Sequence, residues 1–303
     1  MGASGQDATI LSQLLINHDV YLMSQKNPEK LIPLEKFFAC DVREAKSIAK
    51  FCFDKEISCI INCAAKSSVE ESWKAKQQVL EINAFAVENL LIELSRLNFT
   101  GVFYQLGSTD MYGADEINSI NQNMNPWSPY GQSKAYAFDS VRRRQNDGFR
   151  AFNIILTNHD SNLRPPNYVI KRLATQIASQ LMNDDKCVVK LQNPKIERDW
   201  ASAYDICRGI AHIAVNEIEQ DLFFATGLTM SLEELVRDVS SRLSSRIEML
   251  TQNEVKRVRD FARITIDERL VESNVHWKAS FFGADTLEIM IKEQLDENTI
   301  SLS

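Results

Sequence analysis

The chain has 303 residues, of which 44% are apolar, enough for one large α/β domain or for two lobes that share an interface. Its formal net charge of −7 gives no sign of nucleic acid or of an anionic membrane as a partner. We find neither an apolar run long enough to cross a bilayer nor a signal peptide, so we expect a cytoplasmic protein. The six cysteines form no C-x-x-C pair and the four histidines are scattered, which predicts reduced thiols and no metal site.

Short apolar runs alternate with amphipathic stretches through the first half of the chain. The runs are continuous, as is typical of strands that are buried on both faces, and they lie at residues 20–23, 37–40, 57–62, 102–106 and 152–157. Between them, apolar residues at helical spacing occupy residues 10–16 and 79–97. This alternation predicts a doubly wound parallel sheet of the Rossmann type.

The C-terminal part has a different pattern. Residues 188–191, 199–216 and 223–226 combine short strands with a helix, and residues 286–295 form a last amphipathic stretch. Ser231 followed by Glu234 is typical of a capping box at the start of a helix. We therefore predict a second, smaller α/β lobe.

A phosphate-binding loop is predicted at the start of the chain, where Gly2, Gly5, Gln6 and Asp7 belong to a G-x-x-G-x-x-A motif. Small residues let backbone N–H groups approach a pyrophosphate, which then lies at the positive end of the following helix. The strand that should precede such a loop is missing. Either the sequence starts at an internal methionine or the protein lacks its central strand, and the residues leave both explanations open.

The end of the predicted strand at residues 20–23 indicates which type of cofactor the fold binds. Ser24, Gln25 and Lys26 stand where NAD-specific folds place an acidic residue that binds the ribose hydroxyls. Lys26 can meet a 2′-phosphate, which favours NADP over NAD. An ordinary solvated lysine is an equally good interpretation of this residue.

Tyr130 and Lys134 are four residues apart, a spacing that places both side chains on one face of a helix. A nearby ammonium is expected to lower the pKa of a phenol from about 10. Such a tyrosine can exchange a proton with a substrate hydroxyl while hydride moves to a nicotinamide.

Two polar residues upstream support this interpretation. Ser108 and Asp110 follow a predicted buried strand, at the carboxyl end where parallel sheets bind their ligands. The Ser108 hydroxyl can bond the same substrate oxygen as Tyr130. The alternative for Asp110 is a helix or turn cap.

The order and spacing of these motifs resemble the extended short-chain dehydrogenase/reductase family, and most of all the GDP-mannose 4,6-dehydratases. The similarity extends over nearly the whole chain, with motifs at residues 2–8, 107–113, 128–134, 157–160, 168–172, 198–200 and 225–227. The resemblance implies catalytic roles for Ser108, Asp110, Tyr130 and Lys134. The Tyr-Lys motif is equally similar to that of UDP-glucose 4-epimerases.

The resemblance also implies the residues that bind ligands. Cofactor contacts are implied for Asp41, Val42, Ala64, Ala65, Ser67 and His159, besides the phosphate loop, Tyr130 and Lys134. Contacts with a nucleotide sugar are implied for Asn158, Val169, Arg172, Arg198, Arg257 and Asp260. Guanidinium groups suit this role because they bind phosphate oxygens in pairs.

A domain division and an activity follow from the resemblance. Residues 1–157, completed by about 196–227, would form an NADP-binding Rossmann domain, and residues 158–195 and 228–303 the nucleotide-sugar lobe. The implied reaction converts GDP-mannose to its 4-keto-6-deoxy form in a homo-oligomer, a dimer or a tetramer.

Two departures from the family keep other functions open. Asp110 is one methylene shorter than the glutamate of the family, and residues 162–165 replace a double-arginine loop that helps to assemble the tetramer. One alternative is a nucleotide-sugar 4-epimerase or 4-ketoreductase, which would use the Tyr-Lys pair without chemistry at C5. The other is a degenerate homologue that binds nucleotide sugars without turnover.

Overall fold

A computed structural model describes residues 1–26, 34–182, 186–251, 262–272 and 277–301. Its strands are β1 (Leu22–Ser24), β2 (Phe37–Ala39), β3 (Cys59–Asn62), β4 (Val102–Leu106), β5 (Glu116–Ile117), β6 (Ala151–Leu156), β7 (Asn158–Asp160), β8 (Lys186–Leu191), β9 (Glu197–Ser202), β10 (Leu222–Phe224), β11 (Thr229–Ser231), β12 (Arg246–Thr251) and β13 (Thr265–Ile266). Its α-helices are α1 (Gln6–Leu14), α2 (Ala45–Asp54), α3 (Val69–Lys74), α4 (Lys76–Leu80), α5 (Ala86–Arg96), α6 (Pro129–Asn146), α7 (Val169–Leu181), α8 (Ala203–Val215), α9 (Leu232–Arg242), α10 (Glu268–Glu272) and α11 (Ala284–Ser301).

The predicted Rossmann-type parallel sheet is confirmed. Strands β10, β6, β4 and β3 lie side by side in that order and are all parallel, while β1 and β2 form a second parallel pair. Among the described residues, no strand lies between β1 and β3. Met1 connects them instead: its amino group donates to the Ile61 carbonyl at 2.7 Å, and the next amide, Gly2 N–H, donates to the Met23 carbonyl at 2.8 Å.

Helices cover both faces of this sheet. On one face, Leu11 of α1 and Ile206 of α8 pack with β4 and β6; on the other, Ile48 of α2 and Leu90 of α5 pack with β3 and β4. All five residues of β4 are buried. Burial on both faces explains why these strands are continuous apolar runs in the sequence.

The C-terminal part builds a separate apolar cluster. Helices α7, α9 and α11 enclose Trp200 of β9 together with the parallel strands β8 and β12. The predicted capping box is confirmed, because Ser231 and Glu234 bond each other's backbone N–H groups at the start of α9. The boundaries of the two lobes stay a prediction. No helix in the described part of the chain is both long and apolar enough to span a membrane.

The element boundaries correct the sequence analysis in several places. The helix expected over residues 79–97 is divided, because the π-helical turn Glu81–Phe85 separates α4 from α5. Helix α1 begins at Gln6 rather than residue 10, because Gly5 acts as its N-cap. The first described strand begins at Leu22 rather than at residue 20.

Candidate active site

The predicted phosphate loop has the backbone of a dinucleotide-binding turn. Gly2 has a φ of +85°, and a Cβ at this position would lie 2.8 Å from the Ala64 amide nitrogen, so only glycine fits. Gly5 is the N-cap of α1 and has no side chain that could bond the helix. The N–H groups of the first turn therefore stay available to a ligand in the loop. The cradle therefore fits a pyrophosphate, with Ala64 of the loop after β3 beside it.

Gln6 and Asp7 face inward to a buried polar cluster. The Gln6 side chain accepts from the Ser161 hydroxyl at 2.8 Å, and an Asp7 carboxylate oxygen lies 3.1 Å from Nε2 of His159. Burial alone would raise the pKa of Asp7, but the charge and hydrogen bond of His159 outweigh it and hold that pKa well below its usual range. His159 Nδ1 also donates to the Thr157 carbonyl at 2.8 Å. Both ring nitrogens of His159 thus contact protein acceptors, and the contact with Asp7 orients the phosphate loop.

Tyr130 and Lys134 lie on the first two turns of α6, and both side chains are buried. The ammonium of Lys134 donates to the Leu106 carbonyl at 2.7 Å and lies 5.9 Å from the centroid of the Tyr130 ring. Burial lowers the pKa of Lys134 to about 8.

The expected lowering of the Tyr130 pKa is wrong for this structure. Burial raises the pKa of the phenol above its ordinary value, and the carboxylate of Asp110 adds to the rise. A hydrogen bond with Ser108 opposes both effects. Sequence spacing predicts the proximity of Lys134, but it contains no information about the depth of the pocket, and burial dominates here.

Ser108 and Asp110 belong to a short 3₁₀ turn after β4. The Ser108 hydroxyl accepts from the Asp110 amide at 3.3 Å and lies 3.5 Å from one Asp110 carboxylate oxygen. Helix α6 approaches this turn closely, because a Cβ at Gly131 would lie only 2.5 Å from the Asp110 carbonyl oxygen. The structure therefore brings together the four residues that the sequence proposed as catalytic.

Asn83 is a site residue that the sequence analysis missed. Its side-chain oxygen accepts from the Lys66 amide at 2.8 Å, and its nitrogen donates to the Lys66 carbonyl and to the Ser133 hydroxyl, both at 3.0 Å. Asn83 thus joins the loop after β3 to helix α6. It lies within the π-helical turn, a feature that often marks functional positions but has no sequence signature.

Arg164 and Tyr168 were also missed. The guanidinium of Arg164 stacks 4.5 Å above the Tyr168 ring, donates to the His159 carbonyl at 3.2 Å and lies 3.6 Å from an Asp160 oxygen. Burial alone would lower the pKa of Arg164, but the charge of Asp160 together with those of Asp7 and two tyrosines outweighs burial and raises that pKa. The Tyr168 hydroxyl lies 2.7 Å from the hydroxyl of Ser67, a predicted cofactor residue.

The remaining predicted cofactor residues lie beyond the strands β1 and β2. Asp41 accepts hydrogen bonds from Gln25 and Arg43, and the Arg43 bonds, despite burial, lower its pKa to about 2. Val42 is half-buried beside it, and Lys26 is exposed after β1.

The predicted substrate-binding residues are distributed over several elements. Asn158 is exposed on β7, and Val169 and Arg172 lie in the first turn of α7. Arg198 is buried on β9, where it donates to the Glu197 carbonyl at 2.7 Å. Arg257 and Asp260 lie outside the described residues.

Comparison with solved structures defines the class of the fold. RMD from Pseudomonas aeruginosa, complexed with NADPH, matches with a TM-score of 0.78 and 20% identity over 98% of both chains. A UDP-glucose 4-epimerase of Thermus thermophilus, in complex with NAD, matches with a TM-score of 0.80 and 16% identity over 97% of both chains. The chain thus has the Rossmann-type α/β fold of these enzymes.

The sequence comparisons are more specific. The family model described as GDP-mannose 4,6 dehydratase matches residues 1–280. The GDP-mannose 4,6 dehydratase of Cricetulus griseus is 26% identical over 291 residues, which cover 88% of this chain and 77% of the relative. That of Sinorhizobium fredii is 27% identical over 256 residues, which cover 78% and 73%. The chain belongs to the GDP-mannose 4,6-dehydratase family.

Proposed function

We propose that the protein is a nucleotide-sugar 4,6-dehydratase that converts GDP-mannose to its 4-keto-6-deoxy form with tightly bound NADP. The convergence of Ser108, Tyr130, Lys134 and Asp110 carries this proposal, in a chain that belongs to the family. When bound, the nicotinamide would supply a hydride acceptor for the sugar C4 and a hydride donor for C6.

The residues present fit such a cofactor. Gly2 and the first turn of α1 would hold the pyrophosphate, while Asp41 and Val42 would flank the adenine. Lys26, exposed after β1, is the residue proposed to meet a 2′-phosphate and so to favour NADP. Ala65 and Ser67 would line the cofactor further along the cleft.

Tyr130 would take the proton from the sugar O4, and Ser108 would bond the same oxygen. Only the phenolate form of Tyr130 can accept this proton, and burial, which raises the Tyr130 pKa, disfavours that form, so proton transfer needs a compensating positive charge nearby. Lys134, with its ammonium 5.9 Å from the ring, supplies one such charge.

Asp110 would act at the sugar C5. A ketone at C4 acidifies the C5 proton, and Asp110 would remove that proton as water departs from C6. The close packing of Gly131 against the Asp110 backbone brings the shorter carboxylate near Tyr130, which supports this role despite the missing methylene.

Asn158, Val169, Arg172 and Arg198, with Arg257 and Asp260, are the residues proposed to bind the nucleotide sugar. The arginines would pair with the diphosphate oxygens. The family membership and the contact of Tyr168, the N-cap of α7, with the proposed cofactor residue Ser67 support this assignment.

The test of the activity is incubation of the purified protein with GDP-mannose. We expect a 4-keto-6-deoxy product by mass spectrometry, and its absence at any enzyme concentration would remove the dehydratase proposal. Titration with NADPH, followed by its fluorescence, distinguishes an inactive binding protein from one that has lost the cofactor site.

Asp110→Asn distinguishes dehydration from epimerisation or ketoreduction. We expect product formation to fall about 10²- to 10⁴-fold, because the amide cannot accept the C5 proton. Turnover that stays intact in Asp110→Asn would instead favour the epimerase or ketoreductase. Glu116→Gln, at an exposed carboxylate in the nearby β5, is the matched control.

A further inference from the structure

Two buried amide side chains lie next to each other in the central sheet, on the face that α6 covers. Asn62 ends β3, and Gln105 is its register partner in β4; they are 1% and 2% exposed. Ile60 and Phe103, two positions earlier on each strand, point to the same face and belong to an apolar cluster with Ala137 of α6. Amides in such surroundings cost stability unless their polar atoms have partners.

The partners of these two amides form a continuous run of hydrogen bonds. The Ala64 N–H donates to Asn62 Oδ1 at 3.2 Å, and Asn62 Nδ2 donates to Gln105 Oε1 at 2.7 Å. Gln105 Nε2 donates to the Leu106 carbonyl at 3.0 Å, and the Lys134 ammonium donates to the same oxygen at 2.7 Å. We call the run from Ala64 to the Leu106 carbonyl the amide bridge.

The ends of the amide bridge allow one orientation of each amide. A carbonyl oxygen only accepts, so Gln105 must present its NH₂ group to Leu106 and its oxygen to Asn62. A backbone N–H only donates, so Asn62 must present its oxygen to Ala64. A flip of either amide would bring two donors or two acceptors face to face. Bonds that are aligned in this way also polarise and strengthen one another.

Both ends of the amide bridge lie at groups that the proposed chemistry uses. A Cβ at Gly2 would lie 2.8 Å from the Ala64 nitrogen, so one end fixes the amide beside the proposed pyrophosphate cradle. At the other end, Leu106 is the last residue of β4, two positions before Ser108, and its carbonyl accepts from Lys134. Amide side chains and carbonyls do not titrate near neutral pH, so the bridge fixes a charge and does not conduct protons.

We propose that Asn62 and Gln105 are positioning residues, which orient the Leu106 carbonyl so that it holds the Lys134 ammonium beside Tyr130. The chemical role of Lys134 rests on the proposed function, whereas the amide bridge itself does not. An apolar pair would join β3 to β4 without the cost of burying two amides. What the polar pair adds is the orientation of the groups at its two ends.

The test compares Gln105→Met with the double change Asn62→Leu and Gln105→Met. The single change leaves the Asn62 NH₂ group without its acceptor, so we expect the melting temperature to fall by about 2–5 °C. The double change removes both partners and should recover most of this loss, and it gives the comparison alone if Gln105→Met does not fold. In both variants the Leu106 carbonyl is no longer oriented, so kcat should fall about 10-fold with KM for GDP-mannose nearly unchanged.

A titration followed by NMR of ¹⁵N-labelled lysine side chains measures the positioning without any turnover. Lys134→Met identifies the Lys134 resonance. The pKa of Lys134, about 8 in the wild type, should fall further in both variants, because a buried ammonium that loses an oriented acceptor is less stable. An inactive wild type in which the variants still lower this pKa would contradict the proposed function and support the positioning role.

Asn153→Leu is the matched control. Asn153 of β6 is the register partner of Gln105 on the other side and is fully buried, but its side chain donates to the Phe138 carbonyl and to Asp221. We expect this change to lower the melting temperature and to leave the Lys134 pKa as it is. Wild-type kcat and Lys134 pKa in the double variant would overturn the proposal. An equal change of that pKa in Asn153→Leu would overturn it too, because any buried amide of the sheet would then have the same effect.

Discussion

A buried ammonium group sets the electrostatics of the candidate site. Lys134 has little exposed surface, and its hydrogen bond to the Leu106 carbonyl holds the charge at the carboxyl end of β4. Burial lowers its pKa from 10.5 to about 8, so the charged form is less stable in the fold than in water. The buried charge of Lys134 therefore destabilises the fold, and its benefit to the protein is its proposed role beside Tyr130.

Lys134→Met should therefore remove activity and stabilise the fold at neutral pH. The folded pKa is below the unfolded one, so the unfolded wild-type chain binds more protons between about pH 8 and pH 10.5. Wild-type stability consequently rises with pH across that window, and the full penalty, about 3 kcal/mol, applies below it.

Thermal unfolding at pH 7 and pH 10 measures this difference. The advantage of Lys134→Met over the wild type should be largest at pH 7 and should shrink at pH 10. A difference that does not change with pH would contradict the assigned burial penalty. Lys50→Met, at an exposed lysine of α2, is the matched control.

Helix α6 determines the geometry of the site because its first turn is fixed by the residues at its N-terminus. Ser128 is the N-cap and accepts from the Gly131 amide at 3.0 Å, and Pro129 occupies the first helical position. Tyr130 follows at once, and Lys134 lies one turn later. The start of the helix thereby fixes where the phenol and the ammonium meet.

Gly131→Ala tests this packing between elements. The added Cβ would lie 2.5 Å from the Asp110 carbonyl oxygen, so α6 and the turn that contains Asp110 must separate. We expect kcat to fall about 10- to 100-fold, because small misplacements of reacting groups are costly. The melting temperature should fall, because the overlap with the Asp110 backbone costs about 1–3 kcal/mol and the helix propensity of alanine returns only about 1 kcal/mol.

The control for this change is Gln132→Ala, at the next position of α6, where the side chain is exposed. Steady-state kinetics and thermal unfolding of both variants give the comparison. A Gly131→Ala enzyme with wild-type kcat would show that the spacing between Asp110 and Tyr130 does not limit turnover.

The sequence predicts the elements well where local pattern and burial agree. Residues 102–106 form β4 within the predicted bounds, because an apolar run of this length is too short for a buried helix and is typical of a strand buried on both faces. The π-helical turn at Asn83 could not be predicted in this way. It is held by contacts with Lys66 and Ser133, which are 17 and 50 residues away, and no local pattern encodes them.

The same limit applies to the candidate site. Spacing predicts Tyr130 and Lys134 as neighbours because one helix carries both. The contact of Asp7 with His159 spans 152 residues, and the position of Arg164 over Tyr168 depends on the packing of a loop. Such contacts depend on tertiary structure, and the residues alone give no indication of them.

At the scale of the whole molecule, a small set of polar contacts joins the loop after β3, on the predicted cofactor side, to the residues before α7, in the predicted substrate lobe. The Ser67 and Tyr168 hydroxyls lie 2.7 Å apart, and Arg164 covers the Tyr168 ring. Because Ser67 follows β3 and Tyr168 precedes α7, this contact fixes the distance between the proposed cofactor and sugar sites. The homo-oligomer stays a prediction, and size measurement in solution would test it.

A double-mutant cycle with Ser67→Ala and Tyr168→Phe measures this connection across the cleft. We expect each single change to raise KM for the nucleotide sugar with a smaller effect on kcat, because the contact positions the two sides and takes no part in proton transfer. The coupling energy in unfolding should be about 1 kcal/mol, the usual net value of one hydrogen bond. Ser68→Ala is the matched control, because Ser68 caps α3 through the Glu71 amide and has no hydrogen bond with Tyr168 among the described contacts. A Ser67–Tyr168 coupling near zero, or one equal to that of Ser68 with Tyr168, would mean that this hydrogen bond does not hold the cleft together in solution.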